Sequence, residues 1–316
     1  MDGLVSQQLQ RLLVCEFSKH FSKVRHISER AAFLSSLFLL MILTISQTYA
    51  ESIVVKDDLD NQIILGKPAT RIISLAPHLT EILFSLGVGD RIVGTVKYSD
   101  YPQQALDIPR LGDAFSLNIE AVVAMKPDII FAWQTGGVSE SVRRLADLDI
   151  PIFINHSRAL TDISGGFVRI GKLVGKSANG LRLKSQFDQK LQGLLSQRVD
   201  RPVVFFQISD QDLYSISDRH IIGKTIRHCG GQNLYSELRP DVSLVSLETV
   251  MAGRPDLIIV THSKGQSPWV KRWQKYPQFQ DRVRTIDPGI VSRPSFRMLE
   301  GIEGICKQIS SVDTPR

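Results

Sequence analysis

The fold is decided by the segment NIEAVVAMKPDIIFAW, which occupies residues 118–133. Its first half predicts a short helix, because Ile119, Val122 and Val123 share one helical face. Pro127 cannot extend a helix and disfavours helical geometry at the residue before it, so the helix must end there. The apolar run that follows shows no polar alternation, which is typical of a parallel strand buried on both faces. The segment therefore predicts a helix, a Pro-Asp break and a buried strand.

The same pattern occurs a second time, as SLETVMAGRPDLIIVTH in residues 246–262. The two copies lie too far apart for a solenoid repeat and match too closely to be dismissed as a generic α/β unit. They predict two lobes of like design, each with its own sheet. Ligands bind beyond the carboxyl ends of the strands in such sheets. The residues after each predicted strand, Trp133–Gln134 and Thr261–His262, are therefore candidates to face one cleft between the lobes.

The first fifty residues differ in character from the rest of the chain. Five basic residues precede an apolar run from Ala31 to Ile45, and a short segment ending in Ala50 follows. A basic region, a short apolar region and small residues before the cut describe a secretory signal peptide. The apolar run is short for a membrane span. We therefore assign residues 1–50 to a cleaved signal peptide and expect export to the periplasm, with retention as an N-terminal anchor as the alternative.

Composition and length limit the remaining possibilities. The formal net charge is +6, and no basic cluster is interleaved with aromatic residues, which argues against a nucleic-acid partner. The length suits two compact domains, so we predict an N-terminal ligand-binding lobe over residues 51–161 and a C-terminal one over residues 201–316. Between them, residues 162–200 have amphipathic helical spacing and are not linker-like in composition. A helix of twenty residues would span about 30 Å, so we expect a stiff connection.

Two cysteines, Cys229 and Cys306, remain once the signal segment is removed. In an exported chain an even pair indicates one disulfide, which here would tie the first helix of the second lobe to its last. Two buried free thiols are the alternative that the sequence leaves open.

An exported α/β enzyme is the rival functional class. The sequence contains no zinc-protease motif, no nucleophile elbow and no phosphate loop. The Gly-Lys-Ser sequence that ends at Ser177 follows a predicted helix and lacks the first loop glycine at the required spacing, so it does not form a phosphate loop. We therefore predict that the protein is not an enzyme and has no catalytic residue, metal site or cofactor.

Several motifs together resemble those of a known family. They are YSDYP at residues 98–102, the segment at residues 118–133, CGG at residues 229–231 and RPSFR at residues 293–297. From about Arg71 to Cys306 the chain resembles the periplasmic cobalamin-binding protein of ABC importers, within a wider group that carries iron-siderophores, haem and cobalamin. The resemblance implies an α/β fold of two Rossmann-like lobes with central, mostly parallel sheets, joined by one long rigid helix.

The resemblance also implies roles for individual residues. A monomer would capture cobalamin, or a related corrinoid, between its lobes and deliver it to the permease dimer of an ABC importer at the inner membrane. Glu120 and Glu248 match the two surface glutamates, one per lobe, that form salt bridges with arginines of that permease. The implied ligand-binding residues are Tyr98, Phe115, Trp133, Tyr214, Asp287, Gly289 and Arg293.

The chain departs from the family pattern at a few positions. Ala114 and Val242 stand where the family pattern has tryptophans, and the loop from Asp287 to Arg293 is one residue longer. A haem- or iron-siderophore-binding protein of the same fold is the alternative function. With haem as the ligand, His78 and His262 would be the candidate iron ligands.

Overall fold

The computed structural model of the chain describes residues 52–113, 116–134, 139–263 and 267–313. The predicted signal peptide lies outside the described residues, as do Ala114 and Phe115. Within the described ranges, no helix is both long enough and apolar enough to cross a membrane.

The first lobe contains a hairpin and a parallel sheet. The hairpin strands are β1 (Ile53–Lys56) and β2 (Gln62–Leu65), which pair antiparallel. The described strands of the sheet are β3 (Ile72–Ser74), β4 (Ile92–Thr95), β5 (Ile129–Trp133) and β6 (Ile152–Asn155). Their spatial order is β4-β3-β5-β6, and every pair is parallel. The helices of this lobe are α1 (Pro77–Ser85), α2 (Ile119–Ala124) and α3 (Ser139–Ala146).

Two packed helices follow the first sheet, α4 (Leu160–Leu173) and α5 (Ser177–Gly193). Near its start α5 contacts the first lobe, where the Asn179 amide donates to the Leu86 carbonyl at 3.1 Å. Near its end it contacts the second lobe, where His228 Nε2 donates to the Leu191 carbonyl at 2.8 Å. Its 17 residues span about 25 Å. The connection between the lobes is therefore helical, while its stiffness and the domain boundaries drawn from the sequence stay predictions.

The second lobe contains a mixed sheet. Its described strands are β7 (Val203–Gln207), β8 (Tyr214–Ile216), β9 (Gln232–Asn233), β10 (Val242–Leu244), β11 (Leu257–Thr261) and β12 (Val283–Ile286). The order is β10-β8-β7-β11-β12, with β9 also paired to β7. Strands β7, β9, β11 and β12 are parallel, whereas β8 runs antiparallel to both of its neighbours, β7 and β10. The helices are α6 (Ile221–His228), α7 (Leu247–Gly253), α8 (Pro268–Gln274), α9 (Pro288–Val291) and α10 (Met298–Ser310). Two α/β units with mostly parallel sheets confirm the predicted fold class.

The repeated Pro-Asp unit performs the same task in both lobes. In the first lobe, Asp128 Oδ2 accepts the backbone N–H groups of Thr70 at 2.7 Å and Arg71 at 2.9 Å. In the second, Asp256 Oδ2 accepts the N–H of Val203 at 2.8 Å. Each aspartate thus joins the start of its own strand to the start of the neighbouring parallel strand. Burial tends to raise the pKa of Asp128, but these hydrogen bonds outweigh it and hold the pKa below its usual range.

The strands that follow the two aspartates form the centre of each lobe. In β5 the four residues before Trp133 are buried, and in β11 all five residues are buried. Each large side chain of this kind that leaves water contributes about 1.5–3 kcal/mol. This burial explains why both strands consist of apolar residues without polar alternation.

A disulfide joins Cys229, at the end of α6, to Cys306 in α10, with the two Cα atoms 4.6 Å apart. The bond connects the first and last helices of the second lobe. It confirms the pairing predicted from the sequence and excludes two free thiols.

Candidate functional site

A cavity of about 370 Å³ lies between the two lobes. The first lobe contributes residues that follow the carboxyl ends of β5 and β6, and the second contributes residues from the loops after β7 and before α6. Parallel strands place these ends at the same edge of a sheet, which is where such folds bind ligands. The lining residues are Trp133, His156, Ser157, Arg158, Ile208, Arg219, His220, Ile221, Asp241, Val242, Ser292 and Pro294.

A larger cavity, of about 540 Å³, opens between α4, α5 and α6. Its lining comes from helices rather than from strand ends. The strand-end geometry therefore favours the cavity between the lobes as the candidate ligand site, even though that cavity is smaller.

Trp133 closes one side of the cavity between the lobes, with 39% of its surface exposed. Its ring meets the edge of the His78 ring, with the centroids 5.9 Å apart. His78 is buried, and its Nε2 lies 2.9 Å from Asn155 Oδ1. The Asn155 amide nitrogen in turn donates to Asp58 Oδ2 at 2.9 Å. This arrangement leaves the Asn155 oxygen facing His78, so His78 Nε2 carries the proton.

His78 is neutral at pH 7, because burial lowers its pKa to about 4. The sequence marked it as a candidate iron ligand, but its Nε2 is already committed to Asn155. The other candidate, His262, has Nδ1 at 3.0 Å from Asp210 Oδ2. Among the described residues no group of three or more metal-binding side chains occurs together.

The remaining predicted aromatic residues are distributed around the strand ends. Tyr98 follows β4 and is 64% exposed, and Tyr214 begins β8 and is 39% exposed. Neither lines the 370 Å³ cavity, whereas Val242 does. Tyr214 pairs across the strands with Leu244, which is also exposed. Trp133 is therefore the one predicted aromatic residue that the described part of the structure places in the cavity wall.

Arg293 lies in a cluster of charges that bridges the lobes. Its Nη1 donates to Glu81 Oε1 at 3.1 Å and to Asp100 Oδ1 at 2.7 Å, and its Nη2 donates to the Tyr98 carbonyl at 3.0 Å. Arg297 Nη2 donates to the same Glu81 oxygen at 2.6 Å. The structure thus commits Arg293 to lobe-to-lobe contacts rather than to the cavity lining.

Glu81 is the central residue of this cluster, and it is not among the site residues predicted from the sequence. Its carboxylate is 2% exposed and also accepts the hydroxyl of Ser295. The sequence did contain an indication of a buried carboxylate, because Glu81 lies in α1 between the apolar residues Leu79 and Ile82. A buried carboxylate in such a helix requires a charged or hydrogen-bonding partner.

Asp287 and Gly289, also predicted to bind ligand, lie at the start of α9. Asp287 Oδ1 accepts the Gly289 N–H at 2.7 Å, and the Gly289 carbonyl accepts Arg297 Nη2 at 3.2 Å. Neither residue lines the cavity, although Ser292 and Pro294 of the same loop do.

Glu120 and Glu248 occupy equivalent positions in the two lobes. Each lies exposed in the first turn of a helix, α2 or α7, whose N-cap side chain is Asn118 or Ser246. The helix of a β-α-β unit runs opposite to its strands, so both helix starts stand at the carboxyl edges of their sheets. The backbone N–H of Glu248 and then the Ser246 hydroxyl hold the pKa of Glu248 below its usual range.

Comparison with known proteins identifies the family. Residues 72–285 match the family model described as periplasmic binding protein, and this span exceeds half of the chain. The chain belongs to the periplasmic binding protein family. It is a periplasmic solute-binding protein and not an enzyme.

Individual relatives of this binding protein extend that result. A vitamin B12-binding protein of Vibrio cholerae is 30% identical over 76% of this chain and 88% of the relative. The crystal structure of the periplasmic vitamin B12 binding protein BtuF of Vibrio cholerae is similar, with a TM-score of 0.72 and 29% identity over 78% of this chain and 99% of that one. The periplasmic heme-binding protein RhuT from Roseiflexus sp. RS-1 has a TM-score of 0.66 and 20% identity over 77% and 99%. That last likeness concerns the fold alone.

Proposed function

We propose that this binding protein captures a corrinoid, cobalamin or a close relative, between its lobes and delivers it to the permease of an ABC importer. The observation that carries the proposal is the cavity at the strand ends of both lobes, with Trp133 in its wall. Similarity to vitamin B12-binding relatives supports the choice of ligand.

The chemistry of the cleft suits such a ligand. A large flat macrocycle with amide edges needs aromatic and aliphatic walls and a few hydrogen-bonding groups rather than a reactive centre. A cavity of about 370 Å³ is smaller than a corrinoid, so it would receive one edge of the ligand. The exposed side chains of Tyr98 and Tyr214 would extend the contact surface beyond the cavity, together with Trp133.

Isothermal titration calorimetry of the purified protein with cobalamin and cobinamide tests this function. We expect saturable binding of one corrinoid per chain. Replacing Trp133 with alanine should weaken binding about tenfold or more, because a buried aromatic contact of this kind contributes roughly 1.4 kcal/mol or more. Leu181→Ala is the matched control, since Leu181 is exposed on α5 and lies outside the cavity lining. An absence of heat with either corrinoid, combined with tight haem binding, would assign the protein to the haem branch instead.

We also propose that Glu120 and Glu248 dock the protein on the permease. Two exposed carboxylates at equivalent helix starts suit a dimeric permease that offers one cationic site to each. The alternative is that both residues only complement their helix dipoles. Reversing either charge, as Glu120→Arg or Glu248→Arg, should weaken permease binding, because a cationic site that loses its carboxylate partner in the interface is left unpaired.

Permease binding and ligand binding are then measured on the same variants. Ligand affinity should stay unchanged, because neither glutamate lines the cavity. Glu303→Arg, on the exposed side of α10, controls for the added charge. If the double variant takes up ligand as well as the wild type does, both residues only complement their helix dipoles. If ligand binding falls in parallel with uptake, they belong to the ligand site.

We infer further that the protein acts as a monomer after export and removal of residues 1–50. N-terminal sequencing of the mature protein should begin at Glu51. A chain that keeps its first fifty residues in the membrane fraction would support the anchor instead.

A further inference from the structure

Part of the cavity between the lobes is lined by two arginines and two histidines that the proposed function does not explain. One arginine and one histidine reach it from the loop between β6 and α4, and a second arginine and histidine reach it from the segment before α6. They are His156 and Arg158 in the first lobe, and Arg219 and His220 in the second.

Arg158 combines a fixed backbone with an uncommitted side chain. Its N–H donates to Asp162 Oδ2 at 2.8 Å, and its carbonyl accepts the ammonium group of Lys224 from the second lobe. The guanidinium group itself makes no ion pair or hydrogen bond with any residue that the structure describes. Its five N–H donors are therefore available to a ligand in the cavity.

The other charged groups around the cavity are largely committed. Arg219 lies 3.5 Å from Asp241 in an exposed pair, so their charges offset one another. Asp58, behind His156, is paired with Arg169 at 2.6 Å. Asp162 accepts the N–H of Arg158 and that of the next residue. Arg158 is therefore the one charged residue lining this part of the cavity that has no ion-pair partner among the described residues.

Neutral donors surround the same space. His220 Nδ1 accepts the Ile222 N–H at 3.2 Å, which leaves the proton on Nε2. The hydroxyl of Ser157 is buried and has no hydrogen-bond partner among the described residues. Burial lowers the pKa of His220 to about 4, and burial and then Arg158 lower that of His156, so both rings are neutral at pH 7. The α6 helix also begins here, and its amino end favours negative charge.

We propose that this part of the cavity is a subsite for an oxyanion carried at the edge of the ligand, with Arg158 as its principal contact. A phosphodiester and a carboxylate present the same chemistry, since either can accept two parallel N–H bonds from a guanidinium group. The inference rests on the proposed function, which places the ligand in this cleft. It adds that the protein distinguishes ligands by the presence of the anion.

Affinities of the wild type and Arg158→Gln for cobalamin and cobinamide test the subsite. Cobalamin carries a phosphodiester in its nucleotide loop, and cobinamide lacks it. Arg158→Gln should weaken cobalamin binding about tenfold and change cobinamide binding less than twofold, since only the first ligand loses a charged hydrogen bond. Arg158→Lys should recover part of the loss. Arg182→Gln, an exposed change on α5 outside the cavity, should affect neither ligand.

The remaining outcomes separate the subsite from the function itself. If Arg158→Gln weakens the binding of both corrinoids equally, or changes neither affinity, the subsite is wrong. The proposed function still stands in that case, provided that the wild type binds cobalamin. A wild type that binds haem but no corrinoid overturns the corrinoid function. The subsite then survives only if Arg158→Gln weakens haem, with its propionates, and spares haem dimethyl ester. A wild type that binds none of these ligands refutes both.

Discussion

Replacing Glu81 with glutamine removes the one carboxylate that three side chains of the second lobe share. Arg293, Ser295 and Arg297 all donate to it, and its side chain is 2% exposed. Glutamine keeps the shape of the side chain but carries no charge and presents an amide in place of one oxygen. The change therefore tests the charge itself, with little effect on packing.

The expected loss follows from what each arginine retains. Removing one partner of a buried ion pair typically costs about 3–5 kcal/mol. Arg293 keeps Asp100 at 2.7 Å and the Tyr98 carbonyl. Arg297 keeps the Gly289 carbonyl at 3.2 Å and the face of the Tyr101 ring at 3.9 Å. We therefore expect the lower end of the range, about 3 kcal/mol, which corresponds to roughly 6–12 °C in the melting temperature of a protein of this size.

Thermal unfolding followed by circular dichroism measures the effect, with Glu140→Gln as the matched control. Glu140 pairs with Arg143, but both side chains are largely exposed, so the loss of that pair should cost less than about 1 kcal/mol. A melting temperature for Glu81→Gln within about 2 °C of the control would refute the reasoning, because it would mean that the cluster does not hold the lobes together.

Two further predictions concern acid and reduction. The pKa of His78 is about 4 in the folded protein and about 6.5 in the unfolded chain. Between these values the unfolded chain binds a proton that the folded protein does not, so the free energy of unfolding should fall by up to about 3 kcal/mol as the pH drops from 6.5 to 4. Urea midpoints across that range should fall less steeply for His78→Gln, and identical slopes would contradict this. Breaking the bond between Cys229 and Cys306, which closes a separation of 77 residues, should cost about 4.5 kcal/mol in the chain-entropy model. Urea unfolding of the Cys229→Ser/Cys306→Ser double variant measures it, and a loss below about 1 kcal/mol would count against that model here.

The central elements of both lobes were predictable because their causes are local. Pro127 and Pro255 end helices through their own ring geometry, whatever surrounds them. The apolar runs after Asp128 and Asp256 are typical of a strand buried on both faces. The position of Trp133 followed as well, because a side chain that ends such a strand lies at the edge where ligands bind.

Tertiary structure alone decided which distant residues meet. Glu81 and Arg297 are separated by 216 residues, and no periodicity or motif relates them. The same holds for Arg158 and His220, which enter one cavity from different lobes. Such contacts depend on the relative orientation of the two lobes, to which α5 and the loop before α10 contribute. Local sequence determines the elements of each lobe through short-range sterics and burial. The set of residues that line the cleft instead follows from packing between two lobes whose segments lie far apart in the chain.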